Sequence, residues 1–303
     1  MKRAPVLVTG AGSGIGLATV QALLQAGHDV IAGARRPAHL RMLQDIGTTA
    51  LALDVRDAAQ VQQAAAAVGA AGQGLLGLVH NAGVGGIGLL PSWSDADVLE
   101  LFDTNVFGPH RLTRALLPAL LSAGGRVVCI GSMGGNITAP FMGPYTMSKH
   151  ALEAYAACLG QELAPHGVAV SIVQPGAVAT AIGDNGREAN IARLQATQAP
   201  FDEASGAALK VLLAPAPPRA DQPESAANRR HAAPAAVAAV VMQALFDDKP
   251  QARYLVGTRW EGDRVIAALS ARLLDAAQSP SHRWDEATFI AHCQQAWRQR
   301  RAM

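Results

Sequence analysis

"VLVTGAGSGIGLATVQALLQAG", residues 6–27, joins a short apolar run to an alanine- and glutamine-rich stretch through a turn with glycine at 10, 12, 14 and 16. The run before the turn is uncharged and rich in valine, which suits a strand buried on both faces; the stretch after it reads as a helix. Glycine lets the chain turn tightly and brings backbone N–H groups against a pyrophosphate, and the helix N-terminus adds partial positive charge. A lone G-x-G-x-x-G is weak evidence. With a strand before it and a helix after it, the turn points to a bound nucleotide, and Gly10, Gly12, Ser13, Gly14, Ile15 and Gly16 become candidate cofactor residues.

The same rhythm continues outward from this unit. Apolar runs recur near 5–10, 29–34, 49–54, 75–83, 125–132 and 168–176, with helical stretches between them. Six such runs alternating with helices predict an α/β fold, a single Rossmann-type doubly wound parallel sheet with helices on both faces. After Thr180 the rhythm breaks. Residues 183–234 read as an insertion or lid, helical in the first half and flexible near 214–233, where "LLAPAPPRADQPESAANRRHAAP" has no single period. A helix near 234–247, a short strand near 252–257 and helices near 263–276 and 284–300 form a C-terminal extension. The whole is one domain: a core over 4–182, the lid, and the remainder to 303.

The chain has 303 residues, half of them hydrophobic, and a formal net charge of +2 from 25 basic and 23 acidic residues. A chain of this size buries a large core, and its charge balance provides no broad field for nucleic acid. The basic run Arg298 to Arg301 reads as a solvated helix end. Three scattered cysteines suggest a reducing compartment, hence the cytoplasm, with neither disulfides nor a metal site; the N-terminal apolar run is too short for a signal sequence, and no span is long enough to cross a membrane.

Where a cofactor ribose carries a free 2′-hydroxyl, the second strand of such a sheet usually ends in an acidic residue. Here Ala34 stands at that place, followed by Arg35 and Arg36. Two guanidiniums suit a 2′-phosphate, which favours NADP(H), with NAD(H) as the alternative. Asp54 and Val55, at the end of the third run, are candidates for the adenine amino group and ring. Asn81, Ala82 and Gly83, at the end of the fourth, are candidates for the ribose.

"GPYTMSKHALEAY", residues 143–155, places Tyr145 four residues before Lys149, and so on one face of a helix about one turn apart. Spacing alone leaves a solvated face as an alternative. Taken together, "TGAGSGIG" at 9–16, "HNAG" at 80–83, Asn105 in "DTNVFG", Ser132 in "CIGSMGG", "YTMSK" at 145–149 and "QPGAVAT" at 174–180 resemble the classical short-chain dehydrogenase/reductase family over residues 4–182. The resemblance implies a catalytic set of Asn105, Ser132, Tyr145 and Lys149. Tyr145 would be the general acid or base, Lys149 would lower its pKa and hold the nicotinamide ribose, and Ser132 would orient the substrate oxygen. Asn105 would hold a water linking the lysine to solvent. It also implies that Pro175, Gly176, Val178 and Thr180 cover the nicotinamide.

More loosely, "VIAGARRPAHL", "SKHALEAY" and "ARYLVGTRWEGDRVIAAL" resemble the 17β-hydroxysteroid- and retinol-dehydrogenase-like branch. Ser132, Met133, Phe141, Met142, Tyr145, Ala177 and Ile182 are the candidate substrate contacts, and their mostly small or apolar character suggests an apolar carbonyl or alcohol. The expected activity is NADP(H)-dependent interconversion of a secondary alcohol and a ketone. A redox-neutral epimerase or dehydratase and a non-catalytic nucleotide-binding regulator are the rivals. The resemblance further implies a homodimer or homotetramer formed through helices near 94–122 and 149–164.

Overall fold

A computed structural model of the chain describes residues 4–70, 72–214 and 218–302. The basic start at residues 2 and 3 and three residues of the expected lid, 215–217, lie outside the described residues. Seven parallel strands form one sheet: β1 Val6–Val8, β2 Val30–Ala34, β3 Thr49–Ala52, β4 Gly77–His80, β5 Arg126–Ile130, β6 Ala169–Pro175 and β7 Arg253–Val256, in the order β3-β2-β1-β4-β5-β6-β7. The order reverses beside β1, so the crevice beyond its C-terminal end is the natural ligand position.

The helices are α1 Gly14–Gln25, α2 Pro37–Asp45, α3 Ala58–Ala70, α4 Asp95–Phe102, α5 Gly108–Ala123, α6 Gly143–Leu163, α7 Ile182–Asn185, α8 Arg187–Gln195, α9 Asp202–Leu213, α10 Pro234–Phe246, α11 Arg259–Ala277 and α12 Glu286–Ala302. Alternation along β1 divides the core in two, because successive side chains of a strand point to opposite faces. Val6 and Val8 pack with Val20 and Leu23 of α1 and Val237 and Val241 of α10. Leu7 faces the other way, toward Val61 and Val68 of α3, Leu112 and Leu116 of α5 and Leu152 of α6. Among the described residues no helix is long and apolar enough to cross a membrane.

Three local features differ from the sequence reading. β3 is not buried on both faces: its ends are exposed, and it lies at a sheet edge, as does the short strand β7, which alternates exposed and buried residues. The long helical stretch around Asn105 is interrupted by a π-turn over Asp103–Phe107 between α4 and α5. Residues 218–233 carry no helix, yet they are knitted together by Asn228. Its side chain accepts from the Arg219 backbone N–H at 2.6 Å and donates to the carbonyls of Arg219 and Pro223, each at 3.0 Å.

Candidate active site

The glycine turn folds back on itself at the end of β1. Gly10 and Gly14 have φ of 61° and 53°, in the left-handed region that disfavours a side chain. A Cβ on Gly16 would overlap the Gly10 carbonyl, and one on Gly10 would come within 2.9 Å of the Ala82 backbone. Asn81 locks this packing by donating its amide to the carbonyls of Thr9 at 2.9 Å and Gly10 at 3.1 Å, while the Thr9 hydroxyl accepts from the N–H groups of Asn81 and Ala82. The Asn81 side chain thus holds the turn. Ser13 precedes α1 without a side-chain capping bond, so it leaves the first N–H groups of that helix open to an anion. Between Ser13 and Gly14 on one side and Thr180 and Ala181 on the other runs a cleft of about 690 Å³. Bare backbone, a helix N-terminus and an open cleft fit a dinucleotide pyrophosphate; the imidazole of His39 packs directly on Gly12.

The end of β2 presents Arg35 and Arg36 beside buried Ala34. The Arg36 guanidinium donates to the Asn185 side chain at 3.0 Å, which links the β2 end to α7. Arg35 stands 3.6 Å from the Asp54 carboxylate. Arg56 holds that carboxylate more firmly, through Nη2 at 2.9 Å and Nε at 3.1 Å, and this bonding keeps the Asp54 pKa down at about 2 although burial opposes it. Val55 is buried against Gly108 and its carbonyl accepts from Arg111 at 2.8 Å, so its side chain faces the N-terminus of α5. Because the folded-state pKa of Asp54 lies below its ordinary 3.8, the unfolded chain binds more protons between about pH 4 and pH 2. The stability this carboxylate contributes is therefore complete above about pH 4 and lost as pH falls through 2. Asp54→Asn is expected to destabilise the protein by about 1 kcal/mol at neutral pH, the upper range for an exposed pair. Between pH 5 and pH 3 the variant should lose less stability than the native chain in urea titrations; parallel losses would refute the ion-pair reading.

The third cluster lies at the ends of β4, β5 and the start of α6. Gly143 and Pro144 open α6, which puts Tyr145 in its first turn and Lys149 one turn later. Ser132 follows β5; its hydroxyl accepts from the Gly134 N–H at 3.0 Å and hydrogen-bonds the Tyr145 phenol. Lys149 is only 6% exposed, donates to the Ile130 carbonyl at 2.9 Å and stands 5.8 Å from the centre of the Tyr145 ring. Asn105, 1% exposed in the π-turn, accepts from Val84 N–H at 2.9 Å and donates to the Val84 carbonyl and the Ser148 hydroxyl. A Cβ on Gly83 would lie 3.4 Å from Asn105 Oδ1 and 3.7 Å from Lys149 Nζ. All four expected catalytic residues therefore lie close together.

Lys149 is not among the groups that shift the Tyr145 pKa here. Burial pushes the phenol upward, and the Ser132 hydrogen bond only partly counters it. Burial also draws Lys149 down to about 8, against the opposing influence of Cys129 and Glu153. Its ammonium is thus itself disfavoured, and its Nζ is directed at a carbonyl.

Of the expected substrate contacts, Met133 is buried and Ile182 is 42% exposed. Ile182 comes close to Tyr145: a Cβ on Gly85 would lie 3.8 Å from Ile182 and 3.9 Å from the tyrosine ring. Phe141 has φ of 68°, unusual for a bulky residue, and its carbonyl accepts from Gly88 N–H at 2.9 Å; Met142 caps α6 beside it. Sequence reading did not single out Trp93 and Arg193. Trp93 packs on the missing side chain of Gly86, and Arg193 from α8 stacks 3.6 Å above the Trp93 ring while donating to the Ile87 carbonyl. The small residues of "GVGGIG" at 83–88 were the available signal. Past β6, Ala177 N–H donates to Glu261 of α11 at 2.8 Å, and Val178 forms a bridge with Ala232.

The family model described as short chain dehydrogenase matches residues 4–191. The Escherichia coli (strain K12) protein called uncharacterized oxidoreductase YbbO is 40% identical over 182 residues, 59% of this chain and 68% of that protein. Retinol dehydrogenase 5 of Mus musculus is 42% identical over 177 residues, 56% of this chain and 55% of that protein, so the chain spans about half of that relative. Among solved structures, a short-chain dehydrogenase from Streptomyces avermitilis superposes with a TM-score of 0.74 at 30% identity, over 92% of this chain and 96% of that one.

Proposed function

Since the chain belongs to the short-chain dehydrogenase family, whose members are NAD(P)-binding oxidoreductases, we propose that it interconverts a secondary alcohol and a ketone using NADP(H). The observation that carries this reading is the convergence of Ser132, Tyr145, Lys149 and Asn105 beside the glycine turn. A bound nicotinamide would supply or accept the hydride. Gly10 to Gly16 and the N-terminus of α1 bind the pyrophosphate, Asn81 to Gly83 and Lys149 border the ribose, and Pro175, Gly176, Val178 and Thr180 flank the nicotinamide end. Asp54 and Val55 border the adenine.

In reduction, Ser132 orients the carbonyl oxygen and the Tyr145 phenol gives it a proton as the alcohol forms. In oxidation the Tyr145 phenolate would take the proton of the alcohol as the hydride leaves its carbon. A phenol whose pKa is raised by burial is protonated at neutral pH, which suits the reducing direction without further activation. Met133, Phe141, Met142, Ala177 and Ile182 offer almost no charge to a substrate, so the substrate is an apolar ketone or alcohol, with residues 183–234 as its lid. Exposed Leu99, Phe107, Leu121 and Met147 on and between α4, α5 and α6 support assembly as a homodimer or homotetramer through those helices.

A panel of apolar ketones of graded size, each offered with NADPH, tests the reading. Oxidation of one NADPH per alcohol formed is the expected outcome. Turnover of substrate with no net change in nicotinamide absorbance would replace it with a redox-neutral reaction, and NADPH binding without turnover of any member would favour a regulatory nucleotide-binding role.

A further inference from the structure

Glu261, in the first turn of α11, is 3% exposed and lies well beyond the segment that the family model matches. A carboxylate is stable in such a place only when its oxygens are satisfied by several donors. Part of its bonding is a helix cap: it accepts from the Thr258 N–H at 3.2 Å, and the Thr258 hydroxyl accepts from the Glu261 N–H at 3.3 Å. A capping box forms as readily on an exposed helix end, so it explains neither the burial nor the two other donors. Those donors come from two segments far apart in the chain. One is the Ala177 N–H, 2.8 Å from Oε1; the other is the Arg229 guanidinium, which ion-pairs with the same oxygen.

Around this carboxylate three distant segments close on one another. Its oxygens lie so near Gly176 and Gly257 that a Cβ at either would overlap them, and Met133 reaches the same place from below Ser132. The segment carrying Arg229 is stitched to the loop after β6 by two backbone bonds, Ala232 N–H to Ala177 carbonyl at 2.8 Å and Ala179 N–H to Ala232 carbonyl at 3.0 Å. A single buried charge therefore ties 176–179, 229–232 and the start of α11 together.

We propose that Glu261 and Arg229 form a latch that holds the 176–179 loop and the returning end of the 183–234 segment in the shape that receives the nicotinamide and the substrate. Glu261 is on this view a positioning residue: it touches no reacting atom and acts through Ala177 and Arg229. The proposal rests on the assignment of Gly176 and its neighbours to the nicotinamide end, and it makes the C-terminal extension part of the active site.

The test uses the full chain with Arg229→Gln, Arg229→Lys, Glu261→Gln and the double variant R229Q/E261Q. Amide hydrogen exchange is read at Ala177, Ala179 and Ala232, and NADPH is the probe for binding and for KM. Arg229→Gln is expected to speed exchange at those three amides and to raise the NADPH KM, each by about three- to fivefold, the upper scale of a partly exposed ion pair. Its kcat should fall by less. Arg229→Lys should recover most of the loss, and the double variant should be no worse than its more affected single, because both singles break one interaction. Exchange and KM within about twofold of the native chain in Arg229→Gln would overturn the latch, as would additive effects in the double variant or a speeding of exchange across the whole sheet. Arg229 is half-exposed, so its truncation tests the idea even if Glu261→Gln does not fold. The exchange arm needs no turnover: a native chain that reduces no ketone would defeat the proposed function while leaving the latch's own readout standing.

Discussion

Tyr145→Phe is expected to lower kcat/KM for ketone reduction by at least about a hundredfold, the range lost with a general acid, while NADPH affinity stays within about twofold. The change removes one oxygen and keeps the ring. That ring packs against Gly134 and Gly85, where an added Cβ would sit 3.5 Å and 3.9 Å from it, so the local fold has every reason to persist. What disappears is the O–H that Ser132 aligns and that the reduced product needs as its proton source. The raised phenol pKa predicts the accompanying pH behaviour: reduction uses the form present at neutral pH, whereas alcohol oxidation needs the scarce phenolate and should accelerate as pH rises. A Tyr145→Phe protein retaining a tenth or more of native activity would mean the proton comes from elsewhere. Loss of NADPH binding in the same variant would mean that the defect is structural.

The second large effect concerns the cofactor. Replacing Arg35 and Arg36 together by aspartate is expected to weaken NADPH binding by about a hundredfold or more, since a hydrogen bond to a charged group contributes about 1.5–3 kcal/mol and two are removed. NADH binding should hold or improve, and the preference should reverse. The physical basis is the uncharged Ala34 at the end of β2 with two guanidiniums after it, one loosely paired with Asp54 and one donating to Asn185. Neither internal partner saturates a five-donor guanidinium, so both retain donors for a phosphate. Asn185→Ala separates the contributions: it removes the Arg36 partner alone and should leave the ratio of NADPH to NADH affinity nearly unchanged. Equal affinity of the native protein for the two cofactors would end the 2′-phosphate reading at once.

The tyrosine and lysine at helical spacing, the glycine turn and the six apolar runs are local patterns, and each run falls on a strand of the sheet. The departures are instructive. β3 and β7 carry the composition of sheet strands but the exposure of edges, because position in a sheet depends on strand order, which no single strand encodes. Asn105 reads as a tolerated polar residue in a helix; in the structure it sits in a π-turn and Val84, on another segment, engages both ends of its amide. The upward pKa of Tyr145 likewise arises from burial by residues far away in the chain.

From the sequence alone followed the doubly wound α/β fold and the glycine turn, since periodicity and short spacings report which side chains share a face or a turn; the candidate catalytic set followed from the family resemblance. Only the tertiary structure decided that Glu261 reaches Ala177 across 84 positions and that Arg36 reaches Asn185 across 149. Contacts of that kind leave no periodic trace. They form because the sheet, once assembled, brings the ends of its strands near segments distant in the chain.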